Sequence, residues 1–306
     1  MQKNIRCMCN EILLFHFPNS KKVKIKPLGG GLVNLVYLVE VDEDKYILKI
    51  KNVLDKSCEQ AIANEYFIQK ASSKIKNAMP NIVYADTTGF RFGYKYVIYE
   101  YVDGFTIEKC NEKIFYLAGI ALANIHCLEI QRVGRIQKSK LVRSEEDVLT
   151  YYNQYFVETM DSLSRIEPDI SKLVNEYVNN NFSMEYYNKQ SLVVLHNDIH
   201  PRNIIYNSGS IVFIDWDCAK YGHKEVDFVK FKHLSQKVTT STCIKSFFEG
   251  YKSIQGDVFT PNFRCHEIVW LSKMIVFDYY NKKKDYNYFP SRPYYVKTIS
   301  NLIERK

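Results

Sequence analysis

The segment 192–217, LVVLHNDIHPRNIIYNSGSIVFIDWD, carries His196, Asp198, Asn203 and Asp215 in an order and spacing suited to chemistry on a phosphate. Moving a γ-phosphoryl group asks little covalent help of a protein. It needs a divalent ion held against the phosphates and a carboxylate oriented on the attacking hydroxyl. Two carboxylates and a carboxamide supply those parts, and oxygen donors completed by water and phosphate suit Mg²⁺ better than a soft metal. His196 and His200 do not read as a zinc pair. That motif needs H-E-x-x-H on a helix, whereas here Asn197 replaces the glutamate and Pro201 stops the helix.

The neighbouring sequence says what must position these groups. Residues 192–195 are short and apolar and predict a buried strand that ends at His196 and delivers Asp198 into a loop. Residues 203–206 resume an apolar run, and the turn Asn207-Ser208-Gly209-Ser210 leads into residues 211–214. The expected hairpin returns Asp215 beside Asn203, so that the three polar groups converge at one end of a small sheet.

HNDIHPRN resembles the catalytic loop H-x-D-x-x-x-x-N, and IDW the metal-binding D-F-G position, of the protein-kinase-like fold. Asn197 in place of the loop arginine, and Trp216-Asp217 in place of Phe-Gly, depart from protein kinases. They resemble instead the aminoglycoside phosphotransferase and choline kinase superfamily, whose members phosphorylate hydroxyls of small molecules. The resemblance implies an α+β, bilobal protein-kinase-like fold. Residues 1–102 would form a small β-rich nucleotide-binding lobe with a hinge strand, and residues 103–306 a larger, mainly helical catalytic and substrate-binding lobe. It further implies Asp198 as the base, Asn203 and Asp215 as Mg²⁺ ligands, His196 as a residue that orients the loop, and ATP or GTP as phosphate donor.

A nucleotide lobe should precede that loop, and its pieces occur in order. Residues 32–41 and 46–50 are apolar runs joined by Asp42-Glu43-Asp44-Lys45, the pattern of a hairpin. Gly29, Gly30 and Gly31 stand just before it, where backbone N–H groups could approach phosphates, although no Gly-Lys-Ser/Thr follows to make a Walker loop. Lys49 falls among apolar neighbours on the second strand and needs an anionic partner or a phosphate there. Residues 55–70 predict a helix with Asp55 or Ser57 near its start, and Glu65 is the expected ion-pair partner of Lys49. Residues 96–102, YVIYEYV, predict a strand ended by Asp103-Gly104. The resemblance implies that backbone groups of Glu100, Tyr101 and Val102 bind the purine.

Downstream, Ile114, Leu117, Ala118, Ala121, Ile125 and Leu128 recur at helical spacing, with His126 expected in or near the core. Residues 145–180 predict helix, and by the resemblance a wall of the acceptor site. Asp227 is expected to cap a helix or brace the catalytic loop. Residues 263–280 predict a long apolar helix carrying Glu267, Trp270 and Asp278.

The chain has 306 residues, a formal net charge of +8 and 8 cysteines. The cysteines are scattered without C-x-x-C pairs, so a reduced, cytoplasmic protein is expected rather than a disulfide framework. The apolar patch 12–17 lacks the features of a signal peptide, and no apolar run is long enough to span a bilayer. Lysines are spread along the chain, with a short cluster at Lys282, Lys283 and Lys284, without a nucleic-acid-binding motif, so neither nucleic acid nor membrane is an expected partner.

The expected acceptor is a small hydroxylated, cationic molecule of the aminoglycoside type. Glu225, Glu267, Asp278 and the patch Glu145-Glu146-Asp147 could meet its amines, against a basic exterior that repels a polycation. Choline or ethanolamine is the rival, with C-terminal tyrosines and Trp270 as an aromatic cage. A catalytically inactive nucleotide-binding regulator on the same fold is the alternative of another class.

Overall fold

A computed structural model of the chain describes residues 2–30, 34–51, 78–127, 134–135, 145–189, 192–281 and 290–304. It divides into two compact units: residues 1–105 with 203–218, and residues 106–202 with 219–306.

In the first unit, period-two alternation sorts the strands into a sheet with two different faces. Strands β1 (Val23–Gly30), β2 (Asn34–Val41), β3 (Asp44–Lys51), β4 (Ile82–Asp86) and β5 (Tyr96–Glu100) form an antiparallel sheet in the order β1-β2-β3-β5-β4. Val39, Val41, Leu48, Ile50, Tyr96 and Ile98 share one buried cluster with Met8, Cys9, Ile12 and Leu13 of helix α1 (Gln2–His16). Ile12 and Leu13 of the apolar patch near the N-terminus therefore belong to the buried stripe of a helix that covers the sheet, while Leu14 and Phe15 stay exposed. Lys49, between Leu48 and Ile50, must point to the opposite face. Its cross-strand neighbours there are Val36 and Val97.

The expected hairpin around residues 42–45 forms with Val41 paired to Asp44 and Asp42 at φ 55°. The β1 strand that precedes it was not anticipated. Gly29 and Gly30 end that strand, paired with Val36 and Leu35 beyond a register shift between Pro27 and Gly29. Gly31, Glu65 and the helix expected over 55–70 lie outside the described residues.

The second hairpin of this unit joins β6 (Ile204–Asn207) to β7 (Ser210–Phe213), with Asn207 opposite Ser210. Ser208 at φ 44° and Gly209 at φ 96° make a two-residue turn with both residues in the left-handed region, which matches the twist of the flanking strands. Phe213 N–H donates to the Ala78 carbonyl at 2.7 Å, and the buried Trp216 ring donates back to the Phe213 carbonyl at 2.9 Å. The large indole thus plugs the hairpin's end and fixes where the chain goes at Asp215.

The second unit is mainly helical. Its helices are α2 (Glu112–His126), α3 (Glu145–Ser164), α4 (Pro168–Asn181), α5 (Met184–Lys189), α6 (Glu225–Ser235), α7 (Ser241–Gln255), α8 (Phe263–Tyr280) and α9 (Arg292–Glu304). Asn111 caps α2 by accepting the Ile114 N–H at 3.2 Å. Helices α2 and α7 cross with backbones in near contact. A Cβ at Gly119 would fall on the Phe247 carbonyl, and one at Gly250 on the Tyr116 carbonyl. The short strands β8 (Val193–Leu195) and β9 (Lys220–Gly222) pair antiparallel, and β8 carries the chain into the HNDIH loop. The expected strand before His196 and the expected helix over 263–280 are both present. Residues 145–180 are helical as expected, in two helices, the second starting at Pro168. No helix among the described residues is long and apolar enough to cross a membrane.

Candidate active site

Lys49 is the centre of the polar set in the first unit. Its ammonium lies 2.8 Å from Asp215 Oδ1 and 2.7 Å from Asp217 Oδ1, with the lysine side chain 7% exposed. A buried ammonium requires such company, since removal from water is otherwise costly. Asp217 is the buried member of the pair of acids and also accepts a hydrogen bond from the Asn34 amide. Burial pushes the Asp217 carboxyl up, and the charge of Lys49 works against that rise. Asp215 differs: its side chain is 47% exposed, so one side stays open to solvent or a ligand. It also stands at φ 63°, a conformation that aspartate tolerates better than most residues.

The hairpin brings Asn203 and Asp215 close along the chain, as expected. Ile214 N–H donates to the Asn203 carbonyl at 2.9 Å, and Asn203 is itself buried. Asp217 and Asn34 were not singled out from sequence. The signal for Asp217 was its place two residues beyond Asp215, which in an extended or turn conformation can share a partner. Nothing marked Asn34, at the start of a strand.

At the end of β5, the Glu100 N–H donates to the Asn81 carbonyl at 2.9 Å and the Tyr101 N–H to the Lys45 carbonyl at 3.1 Å. Those two donors are spent inside the sheet. Among the described residues, the Val102 N–H makes no hydrogen bond.

The HNDIH loop belongs to the second unit, and a single carboxylate organises it. Asp227 on α6 is wholly buried, and its two oxygens accept the backbone N–H of His196 at 2.8 Å and of Asn197 at 2.7 Å. His126 Nε2 adds a third contact at 3.3 Å, and its Nδ1 meets the Tyr251 hydroxyl at 3.0 Å. Burial alone would raise the Asp227 carboxyl. The hydrogen bond from His126, the charges of His126 and His196 and the Asn197 amide outweigh it and hold the group below its ordinary value. Asp227 therefore braces the loop, and it is not the cap of α6, whose N-cap residue is Lys224.

Asn197 sits at φ 61°. Its side-chain oxygen takes a hydrogen bond from Lys230 at 2.7 Å, and Lys230 also bonds its backbone carbonyl. Held from both sides, the left-handed turn presents Asp198. His196 is fully buried, and its Nδ1 accepts the Asp198 N–H at 3.3 Å. The Asp198 carboxylate is 39% exposed, with His200 Nε2 at 3.9 Å. A half-exposed carboxylate on a rigid loop can take a proton from a hydroxyl without leaving its place.

The acids expected to meet a cationic acceptor are placed differently. Glu267 is buried against Lys232 and His233, both at 2.6 Å, and Glu225 is buried with Thr260 Oγ1 at 2.5 Å. Asp278 accepts the Arg292 N–H at 3.2 Å. The side chains of Glu145, Glu146 and Asp147 lie outside the described ones.

Comparison with known proteins gives this arrangement its class. Residues 24–260 match the model of the phosphotransferase enzyme family known as APH. Fold and match together define an enzyme of the phosphotransferase type. The match takes in well over half of the chain, and the protein belongs to that family.

Among solved structures, aminoglycoside phosphotransferase APH(4)-Ia is similar at a TM-score of 0.64 and 12% identity, covering 97% of this chain and 98% of that one. Aminoglycoside phosphotransferase APH(2'')-Ib in its ADP-bound form is similar at a TM-score of 0.62 and 18% identity, with 96% of each chain covered. An ethanolamine kinase of Plasmodium vivax is similar at 0.63 and 16%, covering 99% of this chain and 89% of that one. At such identities the likeness is one of fold, and it bears out the kinase-like α+β architecture expected from the sequence. No curated protein matches the sequence.

Proposed function

We propose that this enzyme moves the γ-phosphoryl group of ATP or GTP to a hydroxyl of a small molecule in a Mg²⁺-dependent reaction. The observation that carries the proposal is Lys49, buried and held between Asp215 and Asp217 on the sheet face opposite α1. A solvent-open carboxylate beside a fixed ammonium is a site built to take phosphates and a cation.

In this reading Lys49 binds donor phosphate oxygens. Asn203 and Asp215 would hold Mg²⁺. Their oxygen donors fit a hard cation, and the Asp215 side chain is 47% exposed. The ion would neutralise charge on the phosphates and orient them. Glycines 29 and 30 would let backbone approach the phosphates, Gly31 and Glu65 keep the roles expected from sequence, and Val102 N–H is the donor left for the purine edge beyond Glu100 and Tyr101.

Asp198 accepts the proton of the acceptor hydroxyl as that oxygen bonds to the γ-phosphorus and the bond to the β–γ bridging oxygen breaks. The products are the phosphorylated alcohol and a nucleoside diphosphate. His196 and Asp227 are positioning residues that fix the loop through its backbone.

Thermal unfolding of the full chain with ATP or GTP, with and without Mg²⁺, tests the donor half. Stabilisation should require or strengthen with Mg²⁺, and no stabilisation by either nucleotide sinks the reading. Asp198→Asn tests the base: nucleotide stabilisation should survive while turnover falls by roughly 10²-fold or more. Turnover equal to wild type refutes Asp198 as the base, and nucleotide binding without turnover on any alcohol would favour a nucleotide-binding regulator.

A further inference from the structure

The peptide unit that leads into Asp198 is gripped at both of its polar ends. Its carbonyl, that of Asn197, accepts a hydrogen bond from the Lys230 ammonium, and its N–H, that of Asp198, donates to His196 Nδ1 at 3.3 Å. Lys230 Nζ also lies 2.7 Å from Asn197 Oδ1, so one ammonium holds the residue by backbone and side chain together. A charged donor makes such bonds roughly twice as strong as a neutral one.

Two opposite charges on one helix hold successive peptides of the loop. Asp227 and Lys230 stand three positions apart on α6 and therefore share a face of it. The carboxylate takes the N–H groups of His196 and Asn197, and the ammonium takes the carbonyl that follows. This matters at φ 61°, which an asparagine tolerates without preferring it, so that the residue relaxes once a grip is lost.

We propose that Lys230 is a positioning residue of the reaction, one that pins the plane of the 197–198 peptide and so sets where Asp198 points. The proposal rests on the phosphotransfer reading for the word reaction, but the pin is a property of the loop. Turning that peptide over leaves both Cα atoms nearly in place while it changes ψ of Asn197 and φ of Asp198. The Asp198 side chain leaves its Cα in a direction tied to those torsions, and the carboxylate swings with them. A misplacement of about 1 Å at a reacting group can cost roughly 10²-fold in rate. Asp227 does not prevent this turn, because its bonds are to the N–H groups of the two peptides before it.

Asn197 and Lys230 also line a cavity of about 420 Å³ in the second unit, within the range of small-ligand sites. Lys220, Lys273, Tyr187 and Trp270 belong to the same wall. A small alcohol that enters the cavity therefore has the pin among its surroundings.

Amide hydrogen exchange of the full chain, read residue by residue by NMR, tests the pin without nucleotide or acceptor. Lys230→Met keeps the aliphatic stem and removes the ammonium. Exchange of the Asp198 N–H should quicken by at least about tenfold, while the His196 and Asn197 N–H groups, held by Asp227, change by less than about threefold. Equal quickening at all three means that Lys230 only supports the fold, and no change at Asp198 means that there is no pin. Either result overturns the proposal. The second variant is Asn197→Gly, which keeps the carbonyl, removes Oδ1 and sits at ease at positive φ. Adding Lys230→Met to it should again free the Asp198 N–H alone, and an effect that vanishes in this background overturns a pin through the carbonyl.

Turnover is then measured with Mg²⁺-ATP and Mg²⁺-GTP, with water, hygromycin B, choline and ethanolamine as acceptors. Lys230→Met should lower kcat by at least about tenfold while nucleotide stabilisation in thermal unfolding persists. Full kcat in a variant whose Asp198 N–H has been freed overturns the positioning role and leaves phosphotransfer standing. No turnover by the wild type removes the phosphotransfer reading and with it the role in a reaction, and the pin then stands or falls on exchange alone.

Discussion

Asp227→Asn isolates the bracing of the loop with the smallest possible change in shape. In the wild type each carboxylate oxygen accepts one backbone N–H, from His196 at 2.8 Å and from Asn197 at 2.7 Å, in a wholly buried setting. An asparagine has one oxygen and one NH₂. One backbone N–H then keeps its acceptor, and the other faces a donor with no water to turn to. An unpaired buried donor costs about 1–3 kcal/mol, and the lost charge assistance in the remaining bonds adds a similar amount. A loss of roughly 3–5 kcal/mol follows, the size seen when one partner of a buried charged set is removed. That is a large part of a typical domain's stability of about 5–15 kcal/mol, so the variant should fold at low temperature with a clearly reduced urea midpoint.

The control is Asp161→Asn, which removes a surface contact to Arg165 and should change stability by less than about 1 kcal/mol. Because the same bonds hold Asn197 and so present Asp198, turnover should fall more than the folded fraction explains. A stability change under about 1 kcal/mol, or full turnover per folded molecule, refutes the bracing argument.

The same group sets a dependence on pH. The folded-state value of Asp227 lies below its ordinary 3.8, so its contribution is present above about pH 4 and is lost as pH falls through the lower folded value. The stability gap between wild type and Asp227→Asn should therefore close on acidification below pH 4, and a constant gap over that range contradicts it. Lys49→Met leaves Asp217 buried without its cation and should destabilise by about 3–5 kcal/mol, read as a lower unfolding midpoint. Asp215→Ala should weaken stabilisation by Mg²⁺-nucleotide more than stabilisation by nucleotide alone, measured by paired thermal shifts. Gly119→Ala drives a methyl into the Phe247 carbonyl and should cost about 2 kcal/mol or more, visible in thermal unfolding, because a backbone atom at a helix crossing cannot step aside.

Much of the local structure was legible because it follows from local rules. The turn Ser208-Gly209 could be placed from residues that tolerate positive φ, and the strand before His196 from four consecutive apolar positions. The long helix Phe263–Tyr280 declared itself by its length and lack of breakers. Helix α1 and strand β1 were missed. The first hides a narrow apolar stripe among polar residues, and the second mixes lysines, a proline and glycines, so neither has a strong periodic signal.

Sequence alone also determined which groups could do chemistry, since the order His196, Asp198, Asn203, Asp215 is a property of one continuous segment. Only tertiary structure decided what those groups touch. Lys49 meets Asp215 and Asp217 from 166 and 168 positions away, and Asp227 reaches back 31 residues to hold the loop. The character of the cavity was likewise invisible in the chain. Glu225, Glu267 and Asp278, nominated for a cationic acceptor, turn out to be bonded within the protein, and lysines from separate elements meet in one wall. The physical reason is the same in each case. Local propensity sets an element and the side its residues face, while the partner of a charge is whichever group packing places within a few ångströms of it.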